Sequence, residues 1–400
     1  MNRDRVVYFD NAATSWPKPP QVRDVMIEYF QNAVGSPGRS GHRLSIEAGR
    51  LVLSAREAVA ELFGVGDSSR IAFTKNVTEA LNIVLNGWLQ PGDHVITSSL
   101  EHNSVMRPLR HLEQHRGVEL TVLPCCHSTG SLDPNLVLEA IRPNTRLIVM
   151  THASNVIGNL LPIKSVGAIA RAHEIPFLVD AAQTAGVVPI NVEDCAIDML
   201  AFTGHKSLLG PTGTGGLYVR PGIELPPLLR GGTGSRSELE LQPDFMPDSL
   251  EAGTLNVIGL AGLAASVRFL LEYGIERVHH HEQQLVGHFL KLCQDMPHIK
   301  VYGPLDARQR IGLVSFNVDG LSPSRVALEL EQSFGIMARV GLHCAPAAHK
   351  TIGTYPTGTV RFSFSIFNSL SEIDYAIEAL QHIITDKSSL CLNRQSSWMD

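Results

Sequence analysis

The sequence is poor in cysteine, with 6 in 400 residues, and poor in aromatic residues, at 6%. So few cysteines in so long a chain do not make a disulfide framework, and a reduced, cytoplasmic compartment is expected. Neither sign of charge dominates. Lys and Arg number 33 against 39 Asp and Glu. The bases are scattered, so neither a nucleic-acid surface nor a polybasic membrane anchor is predicted. No apolar run approaches the roughly 20 residues that span a bilayer, and Met1 to Asp10 lacks the apolar centre of a secretory signal. What remains is a chain 44% hydrophobic, ample for a large core and long enough for two domains.

Short apolar runs alternate with amphipathic stretches through the first half. Strands are predicted at 70–74, 94–98, 119–123, 146–151, 176–180, 199–203 and 216–219, and helices at 45–63, 77–88, 103–116 and 163–173. Leu147-Ile148-Val149-Met150 is apolar on both faces, as in a parallel sheet covered by helices on both sides. Open α/β sheets of this kind bind ligands at the carboxyl ends of their strands. Residues 221–248 carry Gly, Pro and Ser without a period and read as a long functional or mobile loop. Helices at 257–273 and 276–295 follow. Shorter elements at 300–302, 313–318, 323–334, 360–365 and 370–384 then indicate a smaller α+β domain. The division predicted is a large domain at 15–256 and a small one at 257–386 plus 1–14. The last dozen residues are expected to fray.

The chemistry concentrates at strand ends. Asp180 closes one apolar strand, and Lys206 follows the next in Thr203-Gly204-His205-Lys206. Alone, each is an ordinary structural acid or lysine. Together, at consecutive strand ends, they match what pyridoxal phosphate chemistry requires: a desolvated amine able to form a Schiff base and an acid for a pyridinium nitrogen. Thr74 to Ala80 joins a strand to a helix, so its N–H groups and the Thr78 hydroxyl can hold a phosphate. A plain helix cap at Asn76 or Thr78 explains the same residues. His205 can donate to that phosphate or be a satisfied core histidine. His102 can stack on a flat ring, and Asn155 and Gln183 can bond a phenolic oxygen or merely loop backbone. Arg361 lies in an alternating strand, where it either grips a carboxylate through two hydrogen bonds or lines a solvated face. Cys344 has Arg339, His343 and His349 near it in sequence, and these are expected to favour its thiolate. The competing reading is a buried inert cysteine. His279-His280-His281 cannot share one helix face and reads as exposed polarity, not a metal site.

Six segments occur in order: Tyr8-Phe9-Asp10-Asn11-Ala12-Ala13-Thr14, Asn76-Val77-Thr78-Glu79-Ala80, Asp180-Ala181-Ala182-Gln183, Thr203-Gly204-His205-Lys206, Glu251-Ala252-Gly253-Thr254 and Arg339-Val340-Gly341-Leu342-His343-Cys344-Ala345. As a set they resemble the class-V aminotransferase family, most closely its group II cysteine desulfurases and selenocysteine lyases. The resemblance implies an α/β fold, fold type I of the pyridoxal phosphate-dependent transferases, with a mostly parallel seven-stranded sheet in the large domain and a smaller α+β domain. It implies a homodimer and the cofactor pyridoxal 5'-phosphate. Residue by residue, it implies Lys206 as the Schiff-base lysine, Asp180 at the pyridine nitrogen, His102 against the ring and Gln183 at the phenolic oxygen. Asn76, Val77, Thr78, Thr203 and His205 would hold the phosphate, with Thr254 contributed across the dimer. Asn155, Arg361 and Arg339 would take the substrate carboxylate, and Cys344 would accept the sulfur.

The activity implied is conversion of L-cysteine to L-alanine, with a persulfide left on Cys344 and an acceptor protein beyond it. L-Selenocysteine is the alternative substrate. A class-V aminotransferase, a cystine lyase and a noncatalytic sulfur- or selenium-delivery module are the other readings. Residues 230–248 carry little of the sequence usual in this group, which leaves the acceptor open.

Overall fold

The computed structural model describes residues 6–32, 35–37, 41–236, 238 and 240–396, with side chains described up to 385. In chain order the elements are β1 (Val7–Tyr8), α1 (Pro20–Gln31), α2 (Arg43–Phe63), β2 (Ile71–Thr74), α3 (Val77–Trp88), β3 (His94–Ser98), α4 (Asn103–Arg116) and β4 (Glu119–Leu123). Next come α5 (Asn135–Ala140), β5 (Thr145–Thr151), α6 (Ile163–Ala172), β6 (Phe177–Asp180), β7 (Met199–Thr203) and β8 (Gly215–Val219). The remainder is α7 (Val257–Tyr273), α8 (Ile275–Cys293), β9 (Ile299–Tyr302), β10 (Leu313–Val318), α9 (Pro323–Phe334), β11 (Ile336–Met337), β12 (Arg339–Gly341), α10 (Pro346–Thr351), β13 (Thr359–Ser363) and α11 (Leu370–Ser396).

Seven strands form the large sheet in the order β2-β8-β7-β6-β5-β3-β4. All neighbours from β7 to β4 run parallel, while β8 is antiparallel to both β7 and β2. Because β2 and β7 are both antiparallel to β8, they run the same way. The carboxyl ends of β2, β3, β5, β6 and β7 therefore share one edge. Leu147, Ile148, Val149 and Met150 in β5 are fully buried, each contributing about 1.5–3 kcal/mol of burial free energy. Parallel pairing requires crossovers, and the amphipathic α4 and α6 supply two of them.

The second sheet, β12-β13-β10-β9, is antiparallel throughout. Its core gathers Val314, Phe316, Phe362 and Phe289 with Val7 and Phe9 from the amino end. Helix α7 does not join this core. Its Leu260, Leu263, Val267 and Leu270 pack into the large core, and the helix lies against α1 and α2. A division at residue 257 thus sets α7 apart from the core it packs in. The exchange occurs along α8, where Ile275 and Val278 belong to the large core and Leu285, Val286 and Phe289 to the small one. The carboxyl end also differs from expectation, because α11 continues as helix to Ser396. No single helix among the described residues is long and apolar enough to cross a membrane. Cys125, Cys126, Cys195, Cys293 and Cys344 are free thiols, and the side chain of Cys391 lies outside the described residues.

Candidate active site

The shared edge of the large sheet brings the sequence-predicted groups together. Asp180 ends β6 with 2% of its surface exposed, and its Oδ1 accepts the Ala182 N–H at 2.9 Å. Burial raises its pKa, while the Ala182 N–H and Lys206 hold it down. Lys206 follows β7, with a little of its surface open. Burial lowers its amine to about 8. Arg361 and Arg339 push the same way, and Asp180 and Cys344 oppose. These groups, far apart in the chain, therefore act on one amine.

The peptide ahead of Lys206 is held by the amino-terminal segment. The His205 carbonyl accepts Ser15 N–H at 2.9 Å and the Thr14 hydroxyl at 3.1 Å. The Ser15 hydroxyl, at 3.3 Å, and Lys18 Nζ, at 3.5 Å, approach it too. In the same segment the Ala12 carbonyl accepts from Gln183 Nε2 at 3.1 Å. The His205 ring is neutral, lowered to about 4 by burial and then by Lys206 and Lys18. Its Nδ1 is buried without a partner. Thr203 is buried, and its hydroxyl reaches the Thr214 carbonyl at 3.5 Å.

Asn76 and His102 both cap helices that start at this edge. Asn76 Oδ1 accepts Glu79 N–H at 3.0 Å, which realises the plain-cap reading. The cap leaves Val77 and Thr78 N–H as first-turn donors of α3, and Thr78 is exposed. His102 Nδ1 accepts Ser104 N–H at 3.1 Å, so the hydrogen of the neutral ring sits on Nε2. Burial, then Lys206, Arg339, Arg107 and Arg361, lower His102 to about 4. A cleft of about 460 Å³ is lined by Thr78, His102, Arg107 and Cys344 among others.

The small domain faces this edge with Arg361 and the cysteine loop. Arg361 is 2% exposed. Its NH1 donates to the Asn155 carbonyl at 2.9 Å and its NH2 to Asp10 Oδ1 at 2.8 Å. Asn155 Nδ2 donates to the His343 carbonyl at 2.7 Å, and Asn103 N–H to the Cys344 carbonyl at 2.9 Å. The residue after His102 thus fixes Cys344. His343 and Cys344 are consecutive left-handed residues, with φ of 47° and 57°. Such a pair costs about 1–2 kcal/mol per residue, offset by those two carbonyl bonds. Cys344 is exposed.

One expectation is corrected here. His343 is lowered to about 2 by burial, then by Arg361, His349 and Arg339, and burial lowers His349 to about 4. Both rings are neutral and supply no positive charge to Cys344. The triple histidine of α8 is likewise only partly exposed polarity, since His281 Nε2 bonds the Asn368 carbonyl at 3.0 Å.

Sequence reasoning missed Glu101. Its carboxyl is fully buried between the ends of β3 and β5. It is bonded to Ser98 Oγ at 2.5 Å, and Thr151 N–H lies 3.0 Å from each of its oxygens. Burial raises it to about 8, with Asp180 adding to the rise. Its place directly before His102 was the available signal. Sequence reasoning also missed the Glu251–Arg56 pair. Glu251 meets Arg56 at 2.7 and 3.0 Å and takes the Phe73 N–H at 2.6 Å, with both side chains buried. This pair fastens the loop leading to Thr254, itself exposed, to β2.

The donor set fits pyridoxal phosphate. A buried carboxylate suits a protonated ring nitrogen, and a desolvated amine suits a carbonyl carbon. The orphaned His205 Nδ1 and the first-turn donors of α3 suit a phosphate.

The family model of class-V aminotransferases matches residues 7–376. A probable cysteine desulfurase of Methanothermobacter thermautotrophicus is 37% identical over 384 residues, covering 94% of each chain. Among solved structures, the cysteine desulfurase of Thermococcus onnurineus superposes with a TM-score of 0.90 at 35% identity, covering 95% of both chains. The cysteine desulfurase CsdA of Escherichia coli gives 0.85 at 30%, again covering 95% of both. With nearly the whole sequence matched and the cofactor's donors gathered at one sheet edge, the chain belongs to the class-V aminotransferase family of pyridoxal phosphate-dependent enzymes.

Proposed function

We propose that the protein is a cysteine desulfurase that converts L-cysteine to L-alanine and takes the sulfur as a persulfide on Cys344. The observation that carries this reading is the exposed Cys344, held by the residue after His102 and lining one cleft with His102, at the sheet edge where Asp180 ends one strand and Lys206 follows the next. Pyridoxal phosphate, when bound, supplies the sink for the electrons left by removal of the Cα proton. Asp180 would hold its ring nitrogen, His102 would lie against the ring and Gln183 would meet the phenolic oxygen. Asn76, Val77, Thr78, Thr203 and His205 would hold the phosphate, joined by Thr254 of a second copy in a homodimer. Arg361, Arg339 and Asn155 would hold the substrate carboxylate. Lys206, unprotonated far more often than an exposed lysine, takes the Cα proton. The Cys344 thiolate then attacks the substrate sulfur. An S–S bond forms as the C–S bond breaks, Cβ keeps the bond pair and takes the proton that the substrate thiol gives up, Lys206 returns its proton to Cα, and alanine leaves. A cytoplasmic setting and a protein acceptor for the sulfur belong to the same reading.

Product analysis with L-cysteine and L-selenocysteine side by side tests it. Alanine is expected from both, and Cys344→Ala should abolish alanine from cysteine while sparing some turnover of selenocysteine, whose selenium leaves more readily. Mass spectrometry without reductant should find one added sulfur on Cys344. Keto acid or ammonia in place of alanine, or full desulfurase activity in Cys344→Ala, would overturn the proposal.

A further inference from the structure

Arg361 has five N–H donors, and the structure accounts for them unevenly. One NH1 hydrogen goes to the Asn155 carbonyl and one NH2 hydrogen to Asp10. Nε is buried with no partner, and a buried N–H left unpaired in a native site calls for a ligand. Asp10 reaches Arg361 from a rigid base. Its carbonyl accepts Ala13 N–H at 3.0 Å and the Tyr8 hydroxyl at 3.2 Å. Its backbone also bridges to Ser363, two residues beyond Arg361 on the same strand. Across the sheet the register partner of Arg361 is Arg339, a like charge directly opposite, which is unfavourable unless an anion offsets it.

We infer that Asp10 is a positioning residue of the substrate-carboxylate site, fixing the Arg361 guanidinium so that Nε and the second NH2 hydrogen form the edge that receives the α-carboxylate. The inference rests on the reading of Arg361 as the carboxylate grip and adds what aims it. Asp10 touches no reacting atom. It closes the NH2 side with one oxygen and cancels charge that would otherwise press Arg361 away from Arg339. The carboxylate then meets a preset two-pronged face, the arrangement in which Arg–carboxylate pairs are strongest.

Equilibrium binding to the holoenzyme tests this, read from the visible spectrum of the bound cofactor, with L-alanine against ethylamine, the same amine without its carboxylate. Asp10→Ala should weaken L-alanine by about tenfold, the scale of one charge-assisted hydrogen bond, and leave ethylamine unchanged. Asp10→Asn keeps an oxygen acceptor and should restore most of the L-alanine affinity. Equal weakening of both amines in Asp10→Ala marks a merely structural role and overturns the inference, as does no change in either. Arg361→Lys separates the two levels. If it weakens L-alanine while Asp10→Ala does not, the inference alone falls. If it leaves L-alanine unaffected, the reading of Arg361 falls and the inference with it.

Discussion

Replacing Asp180 by Asn should change how the protein captures its cofactor, in a direction fixed by the electrostatics of Lys206. Burial brings the Lys206 amine to about 8 from 10.5. At neutral pH about one amine in ten is then unprotonated, against about one in 3,000 for an exposed lysine, a gain equivalent to about 3 kcal/mol. Asp180 works against that gain, because its charge favours the ammonium. Cofactor-free protein mixed with pyridoxal phosphate from about pH 6 to about pH 10, followed by visible absorbance, should attach it at a rate that climbs to a plateau above about pH 8. In Asp180→Asn the midpoint should fall further, even though the bound cofactor is held less well. The same shift has a signature in stability. The folded chain binds fewer protons at Lys206 than the unfolded chain between about pH 8 and about pH 10.5, so stability of the cofactor-free protein should rise with pH across that window. Below it both states are protonated and the cost of burying the ammonium stands in full. A wild-type midpoint above about pH 10, as for an exposed lysine, or a midpoint that rises in Asp180→Asn, would refute the reasoning.

Two packing predictions bear on the same edge. Glu251→Ala strands the Arg56 guanidinium in the core beside β2, and urea unfolding should show a loss of about 3–5 kcal/mol; a loss under about 1 kcal/mol would mean that water reaches Arg56. A Cβ at Gly215 would stand 2.8 Å from both the Asn76 Cα and the Phe202 carbonyl oxygen, so Gly215→Ala should shift the head of α3. Cofactor retention on dialysis should then fall while the protein stays folded, at a cost of about 1–3 kcal/mol. Unchanged retention would remove the α3 head from the phosphate site.

The elements legible in the sequence were those with a strong local period. Helices α3, α4 and α9 have the bounds their spacing predicts, because each has an apolar face and a capping side chain at its head; α7 has its predicted bounds too, but it is apolar nearly all round and is delimited by Asn256 at its head and Gly274 at its end. The inner strands β5, β6 and β7 were legible because they are buried on both faces and read as apolar runs, whereas the edge strand β4 is buried only at Leu123 and was marked by its β-branched and apolar residues. What escaped was short or settled by partners distant in the chain. β1 and β11 are two-residue strands that exist only through each other, and β12 is held by β13. Helix α1 begins at Pro20 after a run of prolines that reads locally as a loop; its packing against α7 makes it a helix. The polar groups followed the same division. Asp180 and Lys206 were visible because a charge at the end of an apolar strand is conspicuous. Glu101 was not, because nothing local distinguishes a carboxyl on two strand ends from one in a loop.

The histidines beside Cys344 carry that argument furthest. Sequence neighbourhood suggested that His343 and His349 would lend it positive charge, and burial removes the protons that the suggestion needs. The His343 ring is spent on a chain of hydroxyls instead. Its Nε2 meets Thr359 Oγ1 at 3.1 Å, Thr359 donates to Ser315 Oγ at 3.0 Å, and Ser315 donates to the Val156 carbonyl at 2.5 Å. A carbonyl only accepts, so each hydroxyl must donate toward it, and the chain requires the His343 hydrogen on Nε2. The residue before Val156 is Asn155, which binds the His343 carbonyl and receives Arg361. His343 therefore closes a ring of contacts that locks the loop carrying Cys344 to the loop carrying Asn155. Lys206 and Arg361, the two cations the substrate must also meet, are each close enough to feel the Cys344 sulfur. His343, which proximity in sequence had set beside Arg339 and His349 as a source of charge, thus fixes the loop that carries Cys344 and brings it no charge.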